Sequence, residues 1–79
     1  HAPLLAGLER GIVEVHEDGK IIDRIMIDGG FADVSGESVT IMAERAIDLG
    51  TADAAALKET AAVENEAEAD FLNAVIAEL

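Results

Sequence analysis

Cysteine, tryptophan and tyrosine are absent, and Phe31 and Phe71 are the only aromatic side chains. Without thiols there is no disulfide staple, no zinc-thiolate centre and no thiol nucleophile. Basic residues are scarce: five Lys and Arg stand against 17 Asp and Glu, a formal net charge of -12. Such a surface repels phosphate backbones and anionic headgroups, which argues against nucleic acid and direct lipid insertion and for a basic protein partner. No apolar run approaches the ~20 residues of a membrane-spanning helix, and no stretch resembles a signal peptide. What remains is 79 residues, 51% of them apolar but aliphatic and alanine-rich. A chain of this size buries only ~60–65% of the surface exposed on unfolding, so its core is thin and a partner would stabilise it.

From Thr51 onward there is neither Gly nor Pro, and Ala and Glu dominate. That shift divides the chain into a β module over residues 1–50 and a helical tail over residues 51–79. Gly11 to His16 reads as a strand with Val13 and Val15 on one face, and Asp18-Gly19 as a hairpin turn. The return strand is Ile21 to Ile27, where Ile21, Ile25 and Ile27 share a face. A strict two-residue turn sets Glu14 opposite Asp23, like charge against like, so a bulge or a longer loop is expected. Gly29-Gly30 then predicts a sharp bend before a short strand Phe31 to Val34. Ser35 to Ser38 is a turn, and Val39 to Met42 a further strand with Val39 and Ile41 on one side. Short strands with glycine turns indicate a mainly β sandwich or barrel. In the tail, Thr51 is the expected N-cap, with Asp53 in the first turn. Leu57 and Ala61 start an apolar stripe that Glu64, Asn65 and Glu68 interrupt before Phe71, Leu72, Val75, Ile76 and Leu79. The break predicts a helical hairpin, with one continuous helix as the rival because no Gly or Pro stands there.

Reactive chemistry finds little support. His16-Glu17-Asp18 lacks the second histidine of a helical zinc motif and reads as a solvated turn. Val34 to Ser38 does not match a nucleophile elbow, and no helix start follows Gly29-Gly30 to cradle a phosphate. Asp28 and Asp33 are the carboxylates considered for acid/base work, but accidental pairs are expected in so acidic a chain. Glu64, Glu66, Glu68 and Asp70 are spread around a helix rather than converging on a cation. No catalytic, metal or cofactor residue is therefore assigned.

The ordered set His1-Ala2-Pro3-Leu4-Leu5, Leu8, Gly11, Val13, Asp18-Gly19, Gly29-Gly30-Phe31-Ala32-Asp33-Val34 and Ser38 to Glu44 resembles the epsilon subunit of F-type ATP synthase, or its mitochondrial delta counterpart. The resemblance covers roughly residues 1–50. It implies a β-sandwich lacking its N-terminal strands here, followed by a C-terminal helical hairpin or helix. It also implies a non-catalytic central-stalk rotor subunit that couples gamma to the c-ring, peripheral on the cytoplasmic face of a bacterial inner membrane, or on the matrix face for the mitochondrial counterpart. His1, Ala2 and Pro3 would then contact gamma or the c-ring, while Gly29, Gly30 and Phe31 form a conformation-setting turn. The tail is a candidate regulator of ATP hydrolysis, with the catalytic alpha and beta subunits as its partners. It departs from the family's ATP-binding pattern, since Lys58 is its only cation. The alternative to this reading is a free-standing acidic β-rich protein-interaction module.

Overall fold

The computed structural model describes residues 3–79. Four strands, β1 (Leu4–Leu8), β2 (Gly11–Glu17), β3 (Lys20–Ser35) and β4 (Ser38–Asp48), precede two helices, α1 (Ala54–Ala61) and α2 (Glu66–Ile76). The strands form one antiparallel sheet with β3 at its centre. β4 runs along one edge of β3, while β1 and β2 share the other edge end to end.

The β2–β3 hairpin shows how local chemistry sets register. Asp18 and Gly19 have φ of 52° and 76°, the left-handed pair that a tight primed turn needs. The turn is strict, with Glu17 opposite Lys20, yet the ladder shifts by one residue between Val15 and His16. That is the expected bulge. It leaves Ile22 out of the pairing and sets Glu14 across from Arg24 instead of Asp23, so an attraction replaces a repulsion. Ile21 is also separated from Ile25 and Ile27: with Ile22 it lines an open cleft beside Asp48 to Thr51, whereas Ile25 and Ile27 line a different hollow.

Two expectations for this region need correction. Ile21 to Ile27 and Phe31 to Val34 are not separate strands, because β3 runs unbroken through Gly29 and Gly30. The last strand also continues past Met42, as β4 extends to Asp48 opposite Ile25. Pairing with β4 on both sides of Gly29, with β2 up to Ile27 and with β1 from Gly30, carries β3 across its own bend, a support that local propensity does not register.

One face of the sheet carries the helices. Ile12, Met26 and Ile47 form a cross-strand row, and on it rest Phe71, Leu72 and Val75 of α2, with Leu49, Ala52, Leu57 and Ala61 around them. Phe71 and Val75 are 2% and 0% exposed. The helical layer is a hairpin. α1 begins at Asp53, whose Oδ1 accepts from the amides of Ala55 and Ala56 at 2.9 and 3.3 Å. Thr51 is therefore not the cap: it lies in a turn in which its amide and that of Ala52 donate to the Asp48 carbonyl. α2 begins where Asn65 Oδ1 accepts from the Glu68 amide at 2.9 Å, so a side-chain cap breaks the helix where no Gly or Pro stands.

Candidate functional site

The glycine pair sits where the sheet changes partners. β1 ends at Leu8 opposite Gly30, and β2 begins at Gly11 opposite Ile27. Gly29 and Gly30 have φ of 73° and 131°, a region that side chains disfavour. A Cβ on Gly30 would overlap the Met42 carbonyl and lie 2.8 Å from Ala43 Cα, whereas one on Gly29 would meet only the flexible end of Glu44. β4 must therefore pass directly against the Gly30 backbone.

The bend also changes which residues share a face. A hollow of about 200 Å³ is lined by Val13, Ile25, Ile27 and Ala46 on one side of it and by Ile41 and Ala43 on the other, so alternate positions exchange faces across the glycines. Ala32, paired with Ile41, thus lies on the side away from the helices. Its neighbour Phe31 lies on the helix side, beyond the reach of α2, in a row with Gly7 and Met42.

The result is a half-sheet with little cover. Leu5, Phe31 and Met42 are 63%, 51% and 54% exposed, and Leu4 and Val39 are open on the opposite face. Pro3, directly before β1, is exposed as well. His1 and Ala2 lie outside the described residues. The structure thus brings Pro3 into line with the strand that runs beside Phe31, and it joins Gly29, Gly30 and Phe31 in one bend inside β3.

The carboxylates form no converging pair. Asp28 accepts from Arg10 at 3.0 Å and lies 3.8 Å from Arg45, whereas Asp33 accepts from the Ser35 hydroxyl at 3.1 Å. Arg10 also reaches Asp70 at 3.0 Å and stands 5.9 Å from the Phe71 ring centre. The hydrogen bonds it donates to Asp28, first, and to Asp70 hold the guanidinium pKa above its ordinary value, so it stays charged at every physiological pH. His16 lies 3.3 Å from Glu14. Among the described residues no three His, Cys, Asp or Glu are grouped to hold a metal ion, and no helix is long and apolar enough to cross a membrane. What the arrangement offers is a surface for contact. Sequence reading overlooked β1, and with it Leu5 and Met42 as surface residues, and it overlooked the arginines that meet α2; the apolar run Leu4, Leu5, Ala6 was the signal for the first, and the scarcity of cations for the second.

Known proteins give this surface a context. Residues 1–49 match the family described as ATP synthase, delta/epsilon chain, beta-sandwich domain. The ATP synthase epsilon chain of Paramagnetospirillum magneticum is 38% identical over 66 residues, which is 81% of this chain and 50% of that protein. That of Parvibaculum lavamentivorans is 38% identical over 73 residues, 92% of this chain and 55% of that protein. For Gluconacetobacter diazotrophicus the figure is 48% over 46 residues, 58% and 33% respectively. The chain spans about half the length of the curated relatives it matches. With all four strands inside the matched segment, which is more than half of its length, and epsilon chains as its relatives, the chain belongs to the delta/epsilon family of F-type ATP synthase, as an epsilon-type member.

Proposed function

We propose that this chain is part of the central rotor stalk of an F-type ATP synthase, where it couples gamma to the c-ring during proton-driven ATP synthesis. The role is mechanical and non-catalytic, and it belongs at the periphery of the complex, on the cytoplasmic face of a bacterial inner membrane. The observation that carries the reading is the bare apolar half-sheet of Leu5, Phe31 and Met42 in a chain whose net charge is -12. An apolar patch on so thin a domain favours burial against another protein. Residues 1–50 act as the sandwich portion and residues 51–79 as the helical tail. Pro3, with His1 and Ala2 before it, contributes to the contact with gamma or the c-ring, and Gly29 and Gly30 set the bend that turns Phe31 outward. The hollow beneath Ile25, Ile27 and Ile41 is the surface that a second sheet of the sandwich would cover. The tail acts on ATP hydrolysis through the alpha and beta subunits.

Binding of the complete subunit to purified gamma tests this. A stable complex is expected, weakened at least roughly tenfold by joint replacement of Phe31 and Met42 with Ser, since each large apolar side chain buried contributes ~1.5–3 kcal/mol. Absence of any complex between the unsubstituted subunit and gamma would overturn the proposal.

A further inference from the structure

The chain has three arginines, Arg10, Arg24 and Arg45. They come from three places in the sheet layer, the β1–β2 link, β3 and β4, and each meets a carboxylate of α2 or of its C-terminal end. Arg10 meets Asp70 at 3.0 Å, Arg45 donates to Glu68, and Arg24 lies 4.0 Å from Glu78. Asp28 of the sheet stands between Arg10 and Arg45 and is shared by both, while Glu14 lies 3.6 Å from Arg24. The only other cations in the chain apart from its histidines are Lys20 and Lys58. A chain with net charge -12 has thus placed all its guanidinium groups along the partly exposed seam between sheet and α2.

The seam needs them. α2 brings Glu68, Asp70 and Glu78 towards a sheet that already carries Glu14 and Asp28 on that side, so without the arginines five carboxylates would face one another across it. The apolar contact beneath is small, with Phe71, Leu72 and Val75 of α2 meeting Met26 and Leu49 as its buried members. α1 contributes no buried side chain. Exposed pairs are individually weak and are screened by salt, so several of them together make an attachment that is both effective and adjustable.

We infer that Arg10, Arg24 and Arg45 form an electrostatic clasp that makes the docking of α2 on the sheet an ionic-strength-dependent step, separable from the folding of the sheet itself. Opening the clasp frees the apolar face of Phe71, Leu72 and Val75 and uncovers Met26. The clasp is intramolecular, so it stands or falls independently of any contact with gamma.

Native-state hydrogen exchange on the chain reads this directly. Between about 0.01 and 1 M sodium chloride the Debye length falls from ~30 to ~3 Å. Protection of the α2 amides is expected to fall roughly tenfold across that range, the product of several pairs each worth a factor of ~1.5–5, while β3 and β4 amides hold or gain. A gain there is the ordinary relief of self-repulsion in an acidic chain, so the opposite sign in α2 separates the two effects. Joint Arg10→Gln and Arg45→Gln should remove α2 protection at low salt and flatten its salt dependence, and Arg45→Glu with Glu68→Arg should restore both. The salt series on the unsubstituted chain needs no variant to fold. Protection of α2 that is flat with salt, or that moves in step with β3 and β4, would overturn the inference.

Discussion

The two ends of the sheet are made from the same long strands, but only one of them is covered. Around Met26 the strands carry helices, and side chains there approach complete burial; around Phe31 the same β3 and β4 continue with more than half of Met42 and Leu5 exposed. The molecule is accordingly long and thin, 46 × 28 × 13 Å. Composition does not distinguish the ends, since both are rich in aliphatic residues. The difference arises because the helical hairpin is short and its apolar face, Leu57, Ala61, Phe71, Leu72 and Val75, matches only one row of the sheet. The covered end therefore holds the chain together, and the bare end is left without cover from the chain's own helices.

The largest effect that would sharpen this contrast comes from the two phenylalanines. Phe71→Ala is expected to cost about 3–5 kcal/mol, a large share of the stability of so small a domain, whereas Phe31→Ala should change it by less than about 1 kcal/mol. Urea unfolding of both variants measures the gap, and equal losses would mean that the bare end is packed in solution.

A second comparison falls on the bend. Gly30→Ala should destabilise by about 3 kcal/mol or more, because backbone strain is joined by overlap with β4. Gly29→Ala should cost only ~1–2 kcal/mol, the left-handed penalty alone, since the Glu44 side chain can move aside. Thermal melts of the two variants rank them. The smallest effect expected is at the helix start: Asp53→Ala removes the cap of α1 at a cost of about 1 kcal/mol, seen as a modest loss of helical circular dichroism, while Thr51→Ala should change little.

Much of this was legible where the deciding chemistry is local. Asp18-Gly19 announced a tight hairpin, and the clash of Glu14 with Asp23 announced the bulge that follows it. The polar break near Glu64 announced two helices, because Asn65 and Glu68 stand at capping distance. Thr51 and Asp53 were harder, both being good cap residues two positions apart, and the choice fell to a turn at Asp48 that depends on how β4 ends. Pro3, expected in a contact, and Phe31, expected in a turn, both lie at the bare end, but no pattern in the sequence marks which apolar strand residues stay uncovered.

The sequence alone determined the division into a β part and a helical tail, the hairpin turns, the helix break and the acidic, thiol-free composition, since each depends on residues close together in the chain. Tertiary structure alone decided that β3 crosses its glycines unbroken, that faces exchange there, and that Arg10 meets Asp70 from sixty positions away. The physical reason is range. Backbone conformation and like-charge repulsion across a tight turn act over a few residues, whereas burial and ion pairing between layers depend on which surfaces folding brings together.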